Sequence, residues 1–197
     1  TKRSSHQACP STRTVGRFGA AYSVLLREAA VNGLCASNCV KPSFKCQAEL
    51  VEHDFDSFAA LARSRRTSLL IDRERPVNSA IIDELCALAA WAPNHKKTWP
   101  WKFAEFTDAG RARLGETMAG DMVDAEFGDD TKRNKTRTKY MRAPSILVVG
   151  CEPHTNEMLH QENRDAVAAA IQNVLLGATA LGLASFWSTP ALTRPPQ

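Results

Sequence analysis

The chain has 197 residues, of which 44% are apolar and 23% charged, and a formal net charge of +4. That length suits one domain with a substantial core plus an appendage, and the composition is ordinary for a soluble globular protein and too polar for a membrane protein. The positive charge does not mark a nucleic-acid reader: residues 1–50 hold seven basic and two acidic residues, whereas the remainder holds 18 basic and 19 acidic, so the excess lies on the appendage and not on a folded face.

Residues 1–50 mix Ser, Thr, Cys, Gly and Pro with scattered basic residues. Apart from a short stretch near Tyr22 to Val31 they show no sustained helical or strand period. They are expected to form a disordered N-terminal extension; a transit peptide and a remnant unrelated to the fold both fit. Residues 15–31 carry Arg17, Arg27 and Glu28 and make a poor secretory core. No stretch of the chain reaches the roughly 18 apolar residues of a membrane helix. A cytoplasmic protein is expected. Cys35 and Cys39 could supply two metal ligands, but no second Cys/His pair follows at zinc-site spacing, so no metal is expected. Cys86 and Cys151 lie in apolar surroundings and read as small buried hydrophobes.

The pattern becomes regular at Asp56, with a short helix through Phe58, Leu61 and Ala62 that runs into Arg65 and Arg66. A second helix opens after Asn78, a suitable N-cap, with Ile81, Ile82, Leu85, Leu88 and Ala89 on one face, and Pro93 stops it. Asn94 to Thr98 is a loop, and Trp101 to Phe106 a strand ending in the turn Thr107–Gly110. Helices follow over about 111–127 and 130–141. The basic run Lys132 to Arg142 is read as a solvated helix face and not as a nucleotide-phosphate site. Ser145 to Gly150 is a short buried strand. A long helix covers about 163–181 with Gly182 as its left-handed cap, and Ala184 to Trp187 is a last strand before the prolines. Strands separated by helices point to an α+β or α/β domain.

Three segments carry residues suited to chemistry. Arg65-Arg66-Thr67-Ser68 offers two guanidiniums and two hydroxyls to a phosphate, or forms a solvated basic helix end favoured by the macrodipole. Trp91 to Lys96, followed by Trp99-Pro100-Trp101, crowds aromatics and polar donors into one loop. These suit a flat aromatic cofactor or pack in the core. Gly177 to Pro190 supplies small residues, which admit a close ligand or a close helix.

In order and spacing these segments resemble the nitroreductase family, in particular its compact branch of small bacterial FMN enzymes. The likeness is carried by Arg65-Arg66-Thr67, by Pro93-Asn94-His95-Lys96 with Pro100-Trp101, by Ala143-Pro144 before the strand 146–149, and by Gln172-Asn173 through Leu181-Gly182-Leu183 to Trp187. It implies a three-layer α/β/α sandwich over residues 56–197, assembled as a homodimer with flavin at the interface. Arg65, Arg66, Thr67, Trp187, Ser188 and Thr189 would hold FMN, with Trp91 and His95 reaching it across the dimer. Gly177, Ala178, Thr179, Ala180, Leu181 and Gly182 would contact NAD(P)H. The activity implied is ping-pong reduction of a nitroaromatic, quinone or related small-molecule acceptor by NAD(P)H, with the flavin carrying the chemistry and no catalytic side chain required. Alternatives are a flavin-binding or flavin-processing protein without reductase turnover, or an inactive truncated relative. Leu69, Leu70 and Ile71 stand where many relatives carry another basic residue, and Ser188 where small relatives often have Arg. Because the family continues beyond the point that matches Gln197, into a segment that completes the sheet, the domain is expected to be C-terminally incomplete.

Overall fold

The structure, a computed structural model, describes residues 21–27 and 54–190. Four strands form one sheet: β1 (Ala21–Arg27), β2 (Trp101–Thr107), β3 (Ser145–Cys151) and β4 (Ala184–Ser188), in the spatial order β2-β3-β1-β4 with every neighbouring pair antiparallel. The helices are α1 (Phe55–Ser64), α2 (Ser79–Ala89), α3 (Asp108–Asp124), α4 (Asp130–Lys139) and α5 (Glu157–Ala180).

Local chemistry explains where most of these elements begin and end. Asp54 caps α1 by accepting from the backbone N–H groups of Asp56 and Ser57, and Asn78 caps α2 by accepting from Ala80 N at 2.9 Å. Each satisfies N–H groups that a helix start leaves unpaired. Gly182 takes φ +71° at the end of α5, and its N–H together with that of Leu183 closes back on the carbonyls of Thr179 and Ala178, the arrangement that favours glycine.

The core has two parts, one on each face of β3, whose residues are all buried. On one face Leu147, Val149 and Cys151 pack against Leu85 of α2 and Val167, Ile171 and Val174 of α5. On the other, Ile146 and Val148 pack with Tyr140, Ala143, Leu114, Met118 and Phe186. Each fully buried aliphatic side chain contributes about 1.5–3 kcal/mol relative to exposure. Burial also pushes the Tyr140 hydroxyl up to about 12 and the Cys151 thiol up to about 11, so both stay neutral, and Cys151 is an inert core residue.

Close helix contacts depend on two glycines. A Cβ on Gly177 would lie 2.8 Å from Cδ2 of both Leu85 and Leu88, which sets how closely α5 approaches α2. A Cβ on Gly115 would collide with the backbone carbonyl of Arg137 and so would push α3 and α4 apart. Because backbone cannot rotate away as a side-chain end can, Gly115→Ala should destabilise the protein by about 1–3 kcal/mol. A lower urea midpoint with an unchanged slope is the expected result, and an unchanged midpoint would show that α4 shifts at no cost.

The sequence expectations need four corrections. Residues 1–50 are not wholly outside the fold, because Ala21–Arg27 forms a strand paired on both sides, from Ala21↔Gly150 to Leu26↔Ser145 with β3 and from Ser23↔Ser188 to Arg27↔Ala184 with β4. A short apolar run reads ambiguously by period alone, and its partners lie more than a hundred residues away. The Cys35 and Cys39 pair and the ending prolines Pro195 and Pro196 lie outside the described residues. The long helix starts at Glu157, capped by the Asn156 side chain on Leu159 N at 3.0 Å, and Asn163 lies inside it. The helix after β2 starts at Asp108, directly after the strand, where a turn was expected. Lastly, Lys139 departs from the solvated face assigned to the basic run, as its surroundings below show.

Candidate functional site

The chain bends out of α1 at Arg65, whose backbone is extended, and runs on beside β4. Thr67 pairs in parallel with Ser185, and Ser68 N donates to Ser185 O at 3.2 Å. Two expected site segments over a hundred residues apart are thereby brought together. The Arg65 guanidinium has no hydrogen-bond or ionic partner among the described residues, and Arg65 itself is half-buried. Arg66 is used differently: its Nη1 donates to the carbonyls of Arg63 and Arg65, capping the end of α1. Trp187 is 38% exposed.

A third element reaches this place. Lys139, the last residue of α4, directs Nζ onto the carbonyl oxygen of Thr189 at 3.4 Å. Burial first, and the neighbouring charge of Arg142 second, hold its ammonium below the ordinary lysine range. Six basic residues in the run hid this one, and the only local signal was its place beside the buried Tyr140.

Trp91 and His95 lie elsewhere in the chain. Trp91 is 64% exposed just beyond α2. His95 holds Nδ1 2.7 Å from Glu162 Oε2. Glu162 belongs to the second turn of α5, eighteen residues before the end of that helix, or roughly 27 Å along its axis. Within one chain, His95 and the Arg65–Thr67 segment therefore sit near opposite ends of α5. With Nδ1 engaged by a carboxylate, Nε2 is an acceptor in the neutral ring and a donor only when the ring carries both protons.

The loop joining these residues is tightly specified. Lys96, Lys97 and Trp99 take φ values of +55°, +52° and +49°, which side-chain-bearing residues rarely adopt. Asn94 holds the loop by accepting from Trp99 N at 2.8 Å and donating to Thr98 Oγ1 at 3.0 Å; Thr98 in turn donates to Asn163 Oδ1 at 2.6 Å. Asn163 and Glu162 were missed as loop-positioning residues because neither spacing nor type distinguishes them on a polar helix start.

The glycine-bearing segment 177–182 is accounted for by packing and capping. Gly177 admits Leu85 and Leu88, Ala178 is fully buried, Thr179 Oγ1 donates to Leu175 O at 2.8 Å, and Gly182 caps the helix.

The donor set around β4 fits the expected FMN: a guanidinium without a partner among the described residues, the hydroxyl of Thr67, an ammonium and an exposed tryptophan suit a ligand with a phosphate and a flat aromatic part. Comparison with known proteins agrees at the level of family. Residues 62–194 match the model of the nitroreductase family. The Bacillus subtilis (strain 168) protein provisionally named NAD(P)H nitroreductase YfhC is 30% identical over 145 residues, which are 70% of this chain and 71% of that protein. The Escherichia coli (strain K12) protein provisionally named NAD(P)H nitroreductase YdjA is 29% identical over 106 residues, 53% of this chain and 57% of that protein. Among solved structures, a nitroreductase-like family protein from Bacillus cereus superposes with a TM-score of 0.55 at 17% identity, covering 74% of this chain and 92% of that one, which supports the fold. Two thirds of the chain lies within the family match, and the chain belongs to the nitroreductase family.

Proposed function

We propose that the chain binds FMN along β4 and acts as an NAD(P)H-dependent oxidoreductase on nitroaromatic, quinone or related small acceptors. The observation that carries this reading is the docking of Thr67 and Ser68 on Ser185, which sets the Arg65 guanidinium and the Trp187–Thr189 turn along one strand. When bound, FMN would supply the redox chemistry, taking a hydride from NAD(P)H and passing the electrons to the acceptor in a ping-pong cycle.

The protein's own part is to bind, orient and shield. The Arg65 fork is shaped for oxygen acceptors of FMN, on its phosphate, ribityl chain or pyrimidine edge, the Thr67 hydroxyl adds a short hydrogen bond, and Trp187 offers an apolar face. Trp91 and His95 are too far along α5 to serve the same β4, so a second copy would bring them to it. The homodimer is thus part of the proposal, as is the three-layer sandwich with helices on both sheet faces. Phe55, Phe58, Leu88 and Trp91 are exposed, and a second copy that covered them would take apolar surface out of water.

The purified protein loaded with FMN should show a flavin absorption spectrum that bleaches on anaerobic addition of NAD(P)H and recovers when a quinone is added. A protein that takes up no FMN would sink the proposal. One that holds FMN without bleaching would instead be a flavin binder lacking reductase turnover.

A further inference from the structure

Lys139 differs from the rest of its basic run in its surroundings. The side chain is half-buried at the end of α4, with Nζ 3.4 Å from Thr189 O and 5.5 Å from the centre of the Tyr140 ring. No carboxylate pairs with it among the described residues; by contrast Arg133 and Arg137 meet Asp130 and Glu116. An ammonium carries three N–H donors, and among the described residues a single carbonyl takes one of them at long range. A partly desolvated cation is costly unless it is matched, and Arg142 adds repulsion in place of relief.

The same site lacks positive charge where Lys139 reaches it. The segment 65–71 flanks the start of β4 at Ser185 and carries no cation after Arg66. Thr189 lies four residues further on, roughly 13 Å along an extended strand. The two cationic ends are therefore separate, and a ligand lying along β4 would meet Arg65 at one end and Lys139 at the other.

We propose that Lys139 is a further binding residue of this site, giving positive charge to an anionic oxygen of FMN at the Thr189 end of β4. This rests on the FMN reading above. The oxygen belongs either to the phosphate or to the pyrimidine edge of the ring system, and riboflavin, which has the ring system but no phosphate, separates the two.

The test uses the full chain and measures dissociation constants for FMN and riboflavin by fluorescence titration, with the urea midpoint as a control. Lys139→Gln should weaken FMN about tenfold or more while the urea midpoint stays at or above the wild-type value, and Lys135→Gln should leave FMN affinity unchanged. Weakening of FMN alone assigns Lys139 to the phosphate, and equal weakening of riboflavin assigns it to the ring edge. Lys139→Met keeps the apolar stem and decides the matter if the Gln variant is unstable. Lys139→Arg should restore most of the affinity. Wild-type FMN affinity in both the Gln and Met variants would overturn the proposal alone, whereas failure of the wild-type protein to bind FMN would overturn the reading beneath it as well.

Discussion

Deleting residues 1–27 should abolish FMN binding and release β4 from the sheet. Among the described residues β1 is the strand that joins β4 to β3, so without it Ser185 to Ser188 lose that sheet partner and the Arg65–Ser68 segment loses a fixed strand to dock on. Each backbone hydrogen bond contributes about 0.5–1.5 kcal/mol net, and a strand paired from Ala21 to Leu26 with β3 and from Ser23 to Arg27 with β4 carries a large fraction of a total stability of about 5–15 kcal/mol. A single substitution in the full chain tests the same point. Val24 lies between Leu147 and Trp187, and Val24→Pro removes an N–H from the middle of a central strand, where proline is not accommodated. Hydrogen exchange should rise across β3 and β4 in both variants, and FMN titration should show no saturable binding by the truncated chain. A truncated protein that keeps wild-type protection in β4 would show that β4 docks without β1, and would restore the sequence-based expectation that the first 50 residues lie outside the fold.

Arg65→Ala should weaken FMN roughly 10- to 150-fold, the equivalent of about 1.5–3 kcal/mol for a charge-assisted hydrogen bond. The effect should fall on binding and not on stability, since the guanidinium has no internal partner among the described residues to lose. Arg66→Ala provides the contrast. Its Nη1 serves the carbonyls at the end of α1, so its loss should act mainly on stability, through a weakened helix end. Titration of both variants, each with a urea denaturation curve, separates ligand-binding arginine from capping arginine. Equal FMN affinity in wild type and folded Arg65→Ala would remove Arg65 from the site.

How much of this could be read beforehand depended on whether the cause was local. Asn78 and Gly182 announced a helix start and end through residue type alone, because capping acts over three or four residues. Likewise, the unbroken apolar run of β3 announced a strand buried on both faces. The start of α5 was misplaced at Asn163, near where the apolar period begins. The Asn163 side chain meets Thr98, 65 positions away, and the exposed first turns of α5 have no apolar period to mark them. For the site, the sequence named both Arg65–Thr67 and Trp187–Thr189, and the structure lays their segments side by side at Thr67 and Ser185. It did not name Lys139, because a run of six cations looks alike until tertiary packing buries one of them. The same limit hid β1: a seven-residue strand shows its role only through partners the chain reaches much later.

That order of appearance bears on biosynthesis. Val24 leaves the ribosome long before Leu147 and Trp187, the residues it pairs with, and at about 5–20 residues per second the second partner follows it by roughly 8–30 s. Until β3 emerges β1 has neither of its ladders, and until β4 emerges it lacks the second; closing contacts over such separations is intrinsically slow. The nascent chain should therefore depend on chaperones more than its size suggests, and synonymous codons that slow translation between β1 and β3 should lower the soluble yield without altering the finished protein.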